Sequence, residues 1–158
     1  MEYYLVAIIY KKMKYYTIWK TDLVDEFETK ERKVILFESI NDAIDYLDNI
    51  NLRFQTDEIT TYDLDWFMGK CIYMKYDDCK SILLYWNMFS DMARSVEIQF
   101  KGDDKKYNKI YNKLFWGNNL PTVTPKGKQY NPIWSNSERK IITAILLEGI
   151  EIVKNQLL

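Results

Sequence analysis

The segment from Cys79 to about Ser95 constrains the fold more than any other, because as a helix it is apolar nearly all round. Its only polar stripe is Lys80, Asn87, Asp91 and Arg94, spaced by seven, four and three. A helix of that kind is enclosed on most sides and shows one narrow edge to water. The rest of the chain must therefore wrap around it, with Asp77 or Asp78 as its N-cap. At 158 residues the chain is long enough for one such core and short enough for a single domain.

The flanking segments read as an α+β fold with a small antiparallel sheet and about four helices. Residues 3–10 and 15–20 are rich in β-branched and aromatic side chains and are separated by Lys11-Lys12-Met13-Lys14, which predicts an N-terminal hairpin. Residues 22–33 are dominated by charge and read as an exposed loop or a strand extension. A short strand over 34–37 runs into Ser39, an N-cap for a helix from Ile40 to about Asn49. On that helix Ile40, Ala43, Ile44 and Leu47 share one face. Residues 58–62 and 70–76 read as strands with a turn over 63–69 between them, and 96–100 as one more short strand. A stripe of Tyr107, Ile110, Tyr111, Leu114 and Phe115 predicts a helix over 105–115, stopped by Gly117. The pattern Ser135-x-x-Glu138 is a capping box for a last helix to about Gln156.

What the chain lacks narrows its chemistry. It has no histidine, which removes imidazole acid–base catalysis, the usual nucleophilic triads and most zinc sites. Neither Gly-rich nucleotide loop is present, so no cofactor is expected. The two cysteines, Cys71 and Cys79, form no CxxC pair and are expected as reduced, partly buried thiols, although one bridge is conceivable. The apolar runs at 5–10 and 141–147 fall short of a bilayer span, and Met1-Glu2-Tyr3-Tyr4 does not open a secretory signal. A cytoplasmic, non-enzymatic binding protein is the expectation.

Charge is the strongest functional signal. The net charge is −1, but residues 1–78 carry 16 acidic and 10 basic side chains, and residues 79–158 carry 7 and 12. Between Glu38 and Asp65 eight acids face Arg53 alone. Asp63-x-Asp65, with Asp57 and Glu58 upstream, could hold magnesium, but a two-acid pattern is unspecific and equally describes solvated carboxylates. The whole band also fits a surface that meets a basic partner, since charge complementarity speeds encounter and fixes register. On that reading Asp57, Glu58, Asp63 and Asp65 engage the partner's bases and Trp66 is an aromatic anchor. A rival lies in the second half. There Lys101, Lys105, Lys106, Lys109, Lys113, Lys126 and Lys128 surround Tyr107, Tyr111, Trp116 and Tyr130, a composition that suits nucleic acid as well as a solvated helix face. The proline-bearing stretch from Trp116 to Trp134 reads either as a lid over the core or as an interface.

The opening hairpin, the run Val34-Ile-Leu-Phe-Glu-Ser-Ile-Asn-Asp-Ala-Ile-Asp-Tyr-Leu, and the blocks Leu83-Leu-Tyr-Trp-Asn-Met-Phe-Ser-Asp and Lys113-Leu-Phe-Trp-Gly-Asn-Asn-Leu-Pro together resemble the immunity proteins of bacterial polymorphic-toxin and contact-dependent growth inhibition systems. The resemblance spans most of the chain and implies a cytoplasmic protein that binds the active domain of a cognate toxin, often a nuclease, and covers its site. It carries over no residue by position, so the site residues rest on the physical reading alone.

Overall fold

The computed structural model describes residues 1–73 and 78–158. Strand-forming residues open the chain as β1 (Glu2–Tyr10) and β2 (Met13–Thr21), paired antiparallel from Glu2↔Thr21 to Tyr10↔Met13. The two-residue turn between them has φ of 51° at Lys11 and 63° at Lys12. Positive φ at both central residues is the type I′ pattern, whose twist matches that of the strands. Leu5, Val6, Ala7 and Ile8 are all buried. Successive side chains point to opposite faces, so both faces of this sheet are covered.

The charged stretch after β2 is more ordered than a loop. β3 (Asp25–Phe27) pairs with β2, and β4 (Thr29–Lys30) and β5 (Lys33–Val34) form a small separate hairpin. The strand expected over 34–37 is reduced to Lys33–Val34 plus a bridge between Tyr16 and Phe37. Ser39 caps α1 (Ile40–Asn49), accepting from the Asp42 amide at 3.1 Å. Asn51, at φ 58°, closes α1 with amide bonds from Asn51 to Asp48 and from Leu52 to Leu47.

β6 (Ile59–Asp63) then pairs parallel to β1, giving the order β3-β2-β1-β6. The sheet is thus mixed, not antiparallel, because the chain crosses over through α1 before returning. The segment expected as a turn is α2 (Leu64–Lys70), capped by Asp63. Lys70, read from the sequence as the start of a strand, is the last residue of this helix; the strand's positions 74–76 lie outside the described residues. α3 (Cys79–Ser95) has the bounds its pattern predicts and is capped by Asp78. Residues 96–100 form no strand: Glu97 sits at φ 58°, and amide bonds from Glu97 to Arg94 and from Ile98 to Ala93 close α3 instead.

Two short 3-10 turns, Lys101–Asp103 and Lys105–Tyr107, lead into α4 (Asn108–Gly117). Gly117 is the last residue of α4 and not a left-handed cap. Its missing Cβ leaves room for the Cys79 sulfur and the Pro132 ring, and the left-handed residue is Asn119 at φ 51°. Ser135 and Glu138 form the reciprocal capping box of α5 (Asn136–Leu157), making five α-helices among the described residues.

α3 lies between the sheet on one side and α4 and α5 on the other, within one contiguous apolar cluster. Gly149 lets α5 close on α3, since a Cβ there would enter the Phe89 ring. Phe67 of α2 stacks on Tyr85 of α3 with ring centroids 4.0 Å apart. The side-chain oxygen of buried Gln156 accepts from the Val34 amide at 3.0 Å, tying the end of α5 to β5. On the opposite face of the sheet, Ala43 and Leu47 of α1 are buried.

Candidate partner-binding face

α1 packs on the β2 side of the sheet. The apolar stripe of α1 is therefore only partly used: Ala43 and Leu47 are buried, but Ile40 and Ile44 stay more than a third exposed. Between α1 and β6 lies an open groove of about 380 Å³, lined by Leu5, Ile44, Leu47, Phe54 and Ile59, with exposed Asp48, Arg53 and Asp57 at its margin.

Two acids, Asp48 and Asp57, stand at this groove, Glu58 follows Asp57, and further acids lie nearby in the chain. Glu38, Asp42, Asp45, Asp48, Asp57 and Glu58 are all exposed, and none forms an ion pair among the described residues. Elsewhere some carboxylates are ion-paired, Glu28 with Lys20 at 3.2 Å, Asp91 with Arg94 at 3.0 Å and Glu138 with Lys113 at 2.9 Å, while Asp22 and Glu31 are exposed with no ion pair among the described residues. Exposed carboxylates that form no ion pair among the described residues thus lie at an apolar opening whose margin also carries Arg53.

The structure divides the acids expected to act together. Asp57 and Glu58 lie exposed at the entry to β6. Asp63 is spent as the α2 cap, accepting from the Trp66 amide at 2.9 Å. Asp65, in the first turn of α2, accepts from the amides of Lys11 and Lys12 at 2.8 and 2.9 Å and so clasps the tip of the β1–β2 hairpin. Trp66 is 40% exposed on α2. What sequence reasoning missed is the apolar half of the site, namely Ile40, Ile44, Phe54 and Ile59. The α1 stripe was visible, but its incomplete coverage depends on where α1 docks.

The two edges of the sheet differ. The β3 edge is closed by α3: Ser95 Oγ accepts from the Phe27 amide at 2.7 Å, and Arg94 donates to the Asp25 carbonyl at 2.7 Å. Beyond β6 no further strand pairs among the described residues, although Tyr85 Oη donates to the carbonyl of Asp63 at the strand's end at 3.0 Å. An uncovered edge carries a row of free amides and carbonyls.

The basic aromatic segment is partly tied down. The Lys113 ammonium donates to the Ile133 carbonyl and to both Glu138 oxygens, and it lies 4.5 Å from the Trp134 ring centre. Tyr111 donates to Asn87 at 2.8 Å. Trp134 is buried whereas Trp116 is 48% exposed, so the connecting loop is neither wholly lid nor wholly surface. Trp116 and Tyr130, with Lys109, Asn112 and Lys113, line a shallow cleft of about 590 Å³.

Cys71 and Cys79 are both buried and are not bridged by a disulfide. Burial, reinforced by Asp78, pushes the Cys71 thiol up to about 11, leaving it a poor nucleophile. No described helix is long and apolar enough to cross a membrane. No family model, curated protein or solved structure matches the chain.

Proposed function

We propose that the chain is a non-enzymatic cytoplasmic inhibitor that binds the basic active domain of a cognate bacterial toxin, of nuclease type, and occludes it. One observation carries the reading: an exposed apolar groove with Asp48 and Asp57 at its margin, neither in an ion pair among the described residues, beside further exposed acids of the same stretch of chain. Apolar surface at the centre of a polar rim is the anatomy of a protein interface. Unpaired charge of one sign steers a partner of the other sign and raises the association rate. Enzymes that handle nucleic acid are basic because phosphate affinity is largely electrostatic. A blocker of such an enzyme gains from an acidic face.

Within this reading Asp48, Asp57 and Glu58 meet the partner's bases, Ile40, Ile44 and Ile59 supply the apolar contact, and Trp66 is a flanking anchor. Asp63 and Asp65 act indirectly, by holding α2 and the hairpin.

The experiment is co-expression with the C-terminal domain of a large secreted protein encoded beside this gene, scoring growth rescue and co-purification. Rescue with a one-to-one complex is expected. The triple variant Asp48→Asn, Asp57→Asn, Glu58→Gln is expected to slow association and weaken binding by roughly tenfold. Unchanged association in that variant sinks the site. A steeply salt-dependent complex with nucleic acid, lost on neutralising Lys105, Lys106 and Lys109, would replace the reading with nucleic-acid binding around the Trp116 cleft.

A further inference from the structure

The way the partner is held follows from the groove lying beside a strand that has no paired neighbour on its outer side among the described residues, and this inference rests on the protein-binding reading above. β6 is an edge strand of five residues, about 16 Å long at the usual rise. Alternate residues of such a strand turn their amide and carbonyl groups to the outer side, where they form a ready template for another strand. Thr60 and Thr61 are exposed and β-branched, which suits continued pairing. Ile59 reaches from the same strand into the groove that α1 leaves open.

We infer that an extended, basic segment of the partner protein pairs with β6 and becomes a fifth strand of the main sheet. Alternate apolar side chains of that segment enter the groove beside Ile44 and Ile59, while its lysines or arginines turn to the other face beside Glu58 and, at the segment's ends, reach round to Asp48 and Asp57. Charge complementarity selects this occupant. A second copy of the chain would bring the same unpaired acids to the same place, and like charges facing across an interface oppose it. Main-chain pairing supplies affinity in such strand addition, while the groove and its acids supply selectivity.

The test uses the full chain and a labelled seven-residue peptide of alternating lysine and valine. Three further peptides accompany it: a glutamate–valine counterpart, and two forms of the lysine–valine peptide N-methylated only at lysine or only at valine. The lysine–valine peptide is expected to bind at least about tenfold tighter than the glutamate–valine one. Only one of the two methylated sets has its amides facing β6, so strand addition splits them. One methylated peptide loses about tenfold or more and the other keeps its affinity. Asp48→Lys with Asp57→Lys is expected to weaken the parent peptide roughly tenfold.

Equal affinity of the two methylated peptides, with charge preference intact, overturns strand addition and leaves the acidic-groove reading standing. Absence of binding by every peptide, beside intact capture of a toxin domain, also overturns strand addition alone. Loss of all charge preference, for peptides and toxin domain alike, overturns both.

Discussion

Removing the Asp65 carboxylate should loosen the molecule without touching the groove. Its two oxygens hold the Lys11 and Lys12 amides at 2.8 and 2.9 Å, and both lysines sit at left-handed φ. A residue with a Cβ in that region costs roughly 1 kcal/mol or more, so the turn depends on outside support. Each amide bond to a carboxylate is worth about 1 kcal/mol where, as here, water can replace the acceptor. Asp65→Ala is therefore expected to destabilise by about 2 kcal/mol. With a urea slope of about 2 kcal/mol per molar, the midpoint falls by about 1 M at unchanged slope. Lys12→Gly in the same background recovers about 1 kcal/mol by removing the steric cost of the left-handed residue. Asp57→Asn and Glu58→Gln, on open surface, should stay within about 0.5 kcal/mol of the parent. An Asp65→Ala midpoint within about 0.25 M of the parent would refute the clasp.

Other perturbations test the rest of the framework. Gly149→Ala drives a methyl into the Phe89 ring and should cost about 2–3 kcal/mol in thermal or urea unfolding; a neutral result means that α5 does not seat on α3 as described. Ser135→Ala removes one half of the α5 capping box and should cost about 1 kcal/mol, read by the same assay. Burial raises the Asp91 carboxyl above its ordinary value of 3.8, against the lowering pull of its bonds from Trp19 and Arg94. The folded state thus keeps this proton to higher pH than the unfolded chain does. Its contribution is fully present below pH 3.8 and is lost as pH rises through the folded-state value. The stability of the parent minus that of Asp91→Asn should decline over that rise, and a flat or increasing difference in urea titrations contradicts the assignment.

Local chemistry made much of this fold readable. The bounds of α3, the Ser39 cap and the capping box of α5 each depend on residues within a turn or two of one another. The departures are where distant partners decide. α2 is a short helix of Leu, Trp, Phe and Met residues that packs because Phe67 meets Tyr85, which local propensity does not register. The parallel pairing of β6 with β1 spans more than fifty residues and has no turn to announce it. Val96 and Ile98 look like strand residues, yet Glu97 is consumed in closing α3. For the candidate site, the acids could be counted in the sequence, but their division could not. Asp65 finds its amides 53 and 54 positions away, whereas Asp57 and Glu58 find no such partner among the described residues.

The bond from the Val34 amide to Gln156 also bears on how the chain comes to be folded during synthesis. Gln156 is made 122 residues after Val34, a delay of roughly 6 to 25 s at ordinary translation rates. Through that interval β5 has no acceptor for its amide and α3 lacks the helix that covers it. The seating of α5 therefore follows the synthesis of every other described element, and until then a nascent chain displays its aromatic interior to whatever chaperones attend the ribosome.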